Sequence, residues 1–410
     1  MANMKDLDML QPTGPKYKID DLRSAIPQSC FQRSTVRGVY HVTLNILMVV
    51  VVFLIFHAYV RPEIVEWKWL RLALWLFYSF LQGLLATGLW ILAHECGHQA
   101  LSPYTLLNDS AGFLLHSMLL VPYFSFKITH ARHHSYNAHL YKDVVFVPKK
   151  HEEYTRASGL PRKINEAIED TPVVAAIQLL MMQLVGWPAY LTLNVSGQSR
   201  LNWISEASGE HQNGSLNHFN PRSSLFRKKD ALWILLSDAG CLITASFLYY
   251  LAVRFSWKEV VIWYFVPYLW VNHWIVAITY LQHTDPTMYR YDSSIWNFQL
   301  GAATTIDRSI GFIGSWFFYN VVETHVLHHH FPKIPFYHAL EATSAIRPVM
   351  GLHYKRSENE GLIAFLQSLW LTAKTCLWVE EIDLSEGITG VFSFGNKQKS
   401  LEMYMYKIDQ

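Results

Sequence analysis

Four apolar runs stand out along the chain. The first is Val39 to Val60, rich in Val and free of Asp, Glu, Lys and Arg; the second runs from about Trp69 to Ala93, with Arg71 near its start. Each is about 22 to 25 residues, long enough as a helix to cross a ~30 Å hydrocarbon core. A second pair follows at Ala231 to Val253 and Val260 to Tyr280. The links within the pairs, Arg61 to Lys68 and Arg254 to Glu259, are short. The pattern therefore predicts two helical hairpins, with spans at about 39–60, 69–93, 231–253 and 260–280, in an all-α integral membrane protein.

The remaining apolar stretches are weaker. Ala111 to Phe126 is too short to span and holds His116 and Pro122, which suits an interfacial or re-entrant segment. Pro172 to Val195 carries Gln178, Gln183, Gly186 and Pro188, and is expected as an amphipathic helix lying at the membrane surface, with a span as the lesser alternative. Ser196 to Asp230 reads as a polar loop, Ser309 to Val322 as a short aromatic helix, and the chain beyond Gly351 as mixed and soluble in character. The two similar hairpins are the only internal repetition.

Composition agrees with membrane residence. Hydrophobic residues make up 51% and charged residues 16%, well below the usual quarter, and 15 Trp favour membrane interfaces. A net charge of +2, with Lys and Arg spread out, gives no basic patch for nucleic acid. Cys30, Cys96, Cys241 and Cys376 are far apart, which excludes a disulfide framework and a cysteine zinc site. The polar N-terminus lacks the sections of a signal peptide, so targeting is expected to rest on internal segments.

Charge also sets orientation. Residues 1–38 carry six Lys or Arg and residues 127–163 carry eight, against two in each hairpin link. Positive loops stay cytosolic. Both termini and the middle segment are expected in the cytosol, with the hairpin tips opposite.

Twenty histidines is a high count, and their clustering is the main chemical signal. His94-Glu95-Cys96-Gly97-His98 closes the second run. His130-Ala131-Arg132-His133-His134 lies in the middle segment, and His325-Val326-Leu327-His328-His329 is followed by His330. The spacings i, i+3 and i+4 place imidazoles on one helical face. His283 stands where the fourth run ends. Neutral imidazole is a common ligand for iron, zinc and copper. Nine candidates exceed the three or four that one zinc needs, so the count favours two metals. Two irons can activate O2, whereas zinc has no redox chemistry. His41, His57, His116, His151, His211, His218, His338 and His353 stand alone and read as interfacial or core residues.

Two rival classes use the same residues. His94-Glu95-Cys96-Gly97-His98 matches HExxH, where zinc metalloproteases use the glutamate as base; that reading leaves the other clusters without a role. A metal transporter or haem-binding protein would place polar ligands inside the spans, whereas these histidines follow them.

The pattern resembles the membrane fatty acid desaturases, and most of all their Δ12 acyl-lipid branch with its fungal members. The likeness is carried by AHECGHQALS (Ala93 to Ser102), HARHHSYN (His130 to Asn137), DVVFVPK (Asp143 to Lys149), NHWIVAITYLQHTDP (Asn272 to Pro286), ATTIDRS (Ala303 to Ser309) and ETHVLHHHFPKIPFYHA (Glu323 to Ala339). The resemblance implies a desaturase domain over 39–350, flanked by cytosolic segments 1–38 and 351–410. It implies two hairpins carrying a cytosolic helical cap around a diiron site. Matched motif by motif, the implied ligands are His94, His98, His130, His133, His134, His283, His325, His328 and His329. His330, His139 and His273 are not carried over.

Further implications are a fatty acyl substrate linked to phospholipid or CoA, O2 as co-substrate, and electrons from a separate cytochrome b5 with its reductase. The setting implied is the endoplasmic reticulum membrane, and the reaction is insertion of a cis double bond at Δ12 of an oleoyl chain. No HPGG-like haem signature occurs in the chain, so the donor is expected to be another protein, docking near Lys149-Lys150 or Arg227-Lys228-Lys229. Lipid-facing positive loops explain those basic residues equally well. The aromatic tail Tyr404 to Gln410 resembles a retention signal only weakly. Three departures stand beside the motifs: Gln99, Met288-Tyr289-Arg290-Tyr291 where LPHY is common, and Phe331-Pro332 after the third cluster. Relatives with other outcomes, namely hydroxylases, conjugases, acetylenases and ω3 desaturases, share this fold.

Overall fold

In the computed structural model, residues 14–159, 171–197, 215–382 and 389–395 are described. Most of them are helical. Five helices are long and apolar enough to cross a membrane. In chain order the principal helices are α1 (Ile19–Ala25), α2 (Thr35–Tyr59), α3 (Lys68–Gly97), α4 (Thr105–Met118), α5 (Tyr123–Tyr136), α6 (Pro172–Leu193), α7 (Ala231–Arg254), α8 (Val266–His283), α9 (His325–His330), α10 (Phe336–Met350) and α11 (Leu362–Thr375).

The spanning candidates follow from run length. At about 1.5 Å per residue, the 25 residues of α2 extend about 37 Å. α3 is longer, with 30 residues, and 72% of its apolar window is buried against 6% for α2, so α3 is the central post. It packs on α2, α4 and α8. Lipid tails give apolar faces little reason to associate, so close approach and hydrogen bonds must hold these helices together. Gly83 lets α3 ride directly on Trp270 of α8, where a Cβ would collide. Nearby, Trp270 Nε1 donates to Ser79 Oγ at 3.2 Å and Tyr78 Oη to the Trp263 carbonyl at 3.1 Å.

The Ala111–Phe126 stretch resolves into α4 and α5, joined at a 109° bend. A turn of wider, π-type winding, Val261–Phe265, leads into α8. The expected aromatic helix at Ser309–Val322 is reduced to one such turn, Ile313–Phe317. Tyr319 and Asn320 take φ of 53° and 61°, which breaks the helix there.

The fifth apolar helix is α6, which meets the same test of length and apolarity as the four predicted spans. It is interrupted from outside. Asn272 of α8 accepts from the Trp187 backbone N–H at 2.9 Å and donates to the Gln183 carbonyl. Those two groups would otherwise bond each other, so a side chain is inserted into the helical ladder one residue before Pro188.

A small antiparallel sheet, in the order β1-β3-β2, joins β1 (Tyr289–Tyr291) to β2 (Val379–Glu381) and β3 (Val391–Phe394). Register pairs Arg290 with Phe392 and Glu380 with Ser393. The segment beyond Gly351 is thereby tied to the end of α8. His211 and the Tyr404–Gln410 tail lie outside the described residues.

Candidate metal centre

Helices α3, α5, α8 and α9 end or pass at one level, and their histidines converge there. Nε2 of His94 lies 2.7 Å from Nε2 of His130 and 3.1 Å from that of His98. His134 Nε2 is 3.1 Å from His130 Nε2. With His328, these ring nitrogens form one group within 4.8 Å of one another. His133, His283 and His329 form a second such group. His325 joins it, with Nε2 3.0 Å from His283 Nε2. All nine residues named from the sequence are therefore together, divided five and four. The one-step offset within HARHH sends His130 and His134 to the first group and His133 to the second.

The arrangement fits metal ligation. Nitrogens bound about 2.1 Å from one ion at right angles sit about 3 Å apart, as these do. His328 Nε2 and both ring nitrogens of His329 are buried with no hydrogen-bond partner among the described residues. A native interior rarely leaves such groups unsatisfied. Burial, and then the neighbouring His94, push His328 down to about 3. Burial followed by His325 and His283 holds His329 well below its ordinary value, and His325 is lowered similarly by burial and His328. These three rings are thereby held neutral at physiological pH, the form that binds metals.

Supporting groups orient the rings. His133 donates from Nδ1 to Asp143 Oδ1 at 2.8 Å, and both side chains are 1% exposed. That bond fixes the tautomer and turns the Nε2 lone pair towards His283. Asp143 also accepts the Val145 N–H at 3.0 Å. Asp307 accepts the Val326 N–H at 2.8 Å and the Tyr354 hydroxyl at 2.6 Å, capping the start of α9. Burial raises Asp307 to about 7 against those two hydrogen bonds. Arg308 joins Asp285 at 2.8 Å, linking the QHTDP and ATTIDRS segments. Asp143 and Asp307 were visible in the sequence only as letters of matched motifs; no spacing marks a carboxylate as a histidine's partner.

The excluded histidines have other work. His330 donates to the Val326 carbonyl at 2.8 Å, and its Nε2 meets Tyr17 Oη at 3.3 Å. His139 contacts the Tyr141 backbone and Ser293 Oγ, and His116 the Trp90 carbonyl. His273 stands against Trp270 and Trp274, His41 against Tyr319 and Phe336, and His151 on Trp378. Gln99 bonds Asp109 at 2.9 Å and the Cys96 carbonyl at 3.2 Å. The HExxH reading gains nothing: His94 and His98 share their group with three further imidazoles, more than a zinc site takes.

A cavity opens against the rings. His94 and His130 of the first group and His133, His283 and His325 of the second all face it. Its walls are otherwise mainly apolar: Trp90 and Ile91 of α3, Phe126 of α5, Met182, Gly186, Trp187 and Tyr190 of α6, Ile275, Val276 and Ile278 of α8, and Val145 and Phe146. A mainly apolar cavity lined by rings of both groups can take CH2 groups and present them to the metal.

The fatty acid desaturase family profile matches residues 67–357. The chain belongs to that family. It is 44% identical over 393 residues to an oleate hydroxylase of Claviceps purpurea, covering 94% of this chain and 82% of that one. It is 38% identical to a Δ12 fatty acid desaturase of Mortierella alpina, covering 90% and 89%. An endoplasmic reticulum ω6 desaturase isozyme of Glycine max is also 38% identical, covering 93% and 92%. This desaturase-family chain is thus an oxidoreductase with membrane-type helices and a histidine-rich, iron-type centre.

Proposed function

We propose that this chain inserts a cis double bond at Δ12 of an oleoyl chain. The reading has two irons held by His94, His98, His130, His134 and His328 on one side and by His133, His283, His325 and His329 on the other. The single observation that carries it is the apolar cavity meeting both histidine groups at once. When bound, such a pair supplies the O2 chemistry that breaks unactivated C–H bonds. The chain's own residues do the rest. The cavity walls hold one pair of carbons in place, because a CH2 chain offers no polar handle for choosing them. Trp90, Phe126 and Trp187 exclude water beside the rings. Asp143 and Asp307 keep His133 and α9 oriented.

The catalytic domain is 39–350, with four spans, the histidines and both termini on the cytosolic side of the endoplasmic reticulum membrane. On this reading α6 lies at the interface. It packs on α11, Gln178 reaches Tyr154, and Met182, Gly186, Trp187 and Tyr190 line the cavity. The substrate is a phospholipid- or CoA-linked acyl chain, and electrons come from a separate cytochrome b5 with its reductase. Exposed Arg227, Lys228 and Lys229 suit an acidic donor. Lys150 suits it less, since its ammonium donates to Tyr141 Oη at 2.8 Å and lies over Phe392.

A second reading has a specific observation behind it: the relative at 44% identity bears the name of an oleate hydroxylase. Expression in a yeast that makes only monounsaturated fats, followed by mass spectrometry of methyl esters, separates the two. A new 18:2 product with bonds at Δ9 and Δ12 supports desaturation. A hydroxylated 18:1 product moves the chain to the second reading, and no new acyl product removes both.

A further inference from the structure

Arg290 stands where the Δ12 pattern has a different residue, and none of the roles described above accounts for it. It is on β1, seven residues after His283, and only 2% exposed. Its guanidinium lies between the rings of Phe146 and Phe394, 5.8 and 5.6 Å from their centroids. No carboxylate pairs with it among the described residues, and its Nε has no acceptor. Burying a guanidinium is costly even with Asp143 attracting it from beyond ion-pair distance, so the position calls for an explanation beyond packing.

The hydrogen bonds supply one. Nη2 donates to the backbone carbonyl of His283, and Nη1 to that of Tyr289 at 3.2 Å. His283 is the last residue of α8, where carbonyls lack intrahelical donors and the helix end is electronegative. Its neighbours are satisfied by others: Arg308 Nε donates to the Leu281 carbonyl at 3.1 Å and the Ile306 N–H to that of Gln282 at 3.2 Å. His283 is also the one ring of the nine not set within a cluster, so no neighbouring ligand on its own helix fixes it.

We propose that Arg290 is a positioning residue that caps α8 through the His283 carbonyl and so fixes the His283 ring in the four-histidine group. β3, through Phe394, and Phe146, a wall of the cavity, hold the guanidinium flat for that bond. The chain beyond Gly351 thereby helps to support the metal centre. The proposal rests on the two-metal reading above.

The test is iron binding by purified protein in competition with a chelator, beside thermal unfolding of the iron-free form, for wild type, R290M and R290K. Wild type must bind two irons; if it does not, the two-metal reading fails before Arg290 is at issue. R290M removes the donor at similar length. The expected result is about ten- to a hundred-fold weaker binding at one iron site, with the other unchanged. The iron-free R290M should unfold close to the wild-type temperature, because the lost carbonyl bonds are offset by no longer burying the guanidinium. R290K, which keeps a donor, should recover most of the affinity. Equal loss at both sites with a lower unfolding temperature would mean a merely structural role. Unchanged or tighter binding would mean that the carbonyl bond does not position His283. Should R290M not fold, R290Q, too short to reach that carbonyl, is compared with R290K: loss at one site in R290Q alone sustains the proposal, and equal affinities overturn it.

Discussion

Removing the Asp143 carboxylate should weaken iron binding as well as the fold. Asp143 accepts from His133 Nδ1 at 2.8 Å and from the Val145 N–H at 3.0 Å, with both side chains of the His–Asp pair 1% exposed. Asp143→Ala strands both donors in an interior that water does not reach, at about 1–3 kcal/mol each. It also frees the His133 ring to take the other tautomer. Losing such a partner weakens metal binding about 10- to 100-fold, or about 1.4 to 2.8 kcal/mol. Asp143→Asn keeps an acceptor oxygen in the same place but drops the charge, so its loss should sit near the lower bound. The assay is chelator competition on purified protein, beside product yield in yeast. Iron affinity equal to wild type in Asp143→Ala would refute the argument that this carboxylate orients a ligand.

Other substitutions separate ligands from neighbours. His329→Ala should abolish product and lower bound iron, whereas His330→Ala should keep both irons and lose only stability, because its ring serves Val326 and Tyr17; iron analysis with product yield decides this. At Gly186 a Cβ would meet Val276 at 3.4 Å, so Gly186→Ala is tolerated, while Gly186→Leu must project into the cavity and cut product yield at least tenfold with iron retained. Stability of the iron-free protein should depend on pH through residues such as His328, held at about 3 against an ordinary 6.5. Between those values the unfolded chain binds the proton and the folded one does not, so stability falls as pH drops below about 6.5. A melting temperature unchanged from pH 7.5 to 5 would contradict this.

The long apolar helices and the histidine clusters were legible because each rests on a local period. Apolar runs of about 20 residues announce helices long enough to span, and i, i+3, i+4 spacing announces a ligand face. The division of the nine rings was not legible. His130, His133 and His134 share one helical face, and only the positions of α3, α8 and α9 assign them to two groups. Asp143, Asp307 and Arg290 were hidden for a related reason: their partners lie 10, 19 and 7 residues away across turns that no period encodes. For α6, composition weighed against a span because of Gln183, Gly186 and Pro188. The structure shows what those residues do there, since Asn272 opens the helix and Gly186 leaves room in the cavity wall. The small sheet is equally non-local, joining strands about 100 residues apart in sequence.

The central claim is a two-iron centre on nine histidines, and the most direct test is the metal content of the purified chain. Elemental analysis with Mössbauer spectroscopy should find two irons per chain in a coupled pair, falling in His283→Ala and His328→Ala alike. A single metal per chain, or zinc in place of iron, would contradict the account.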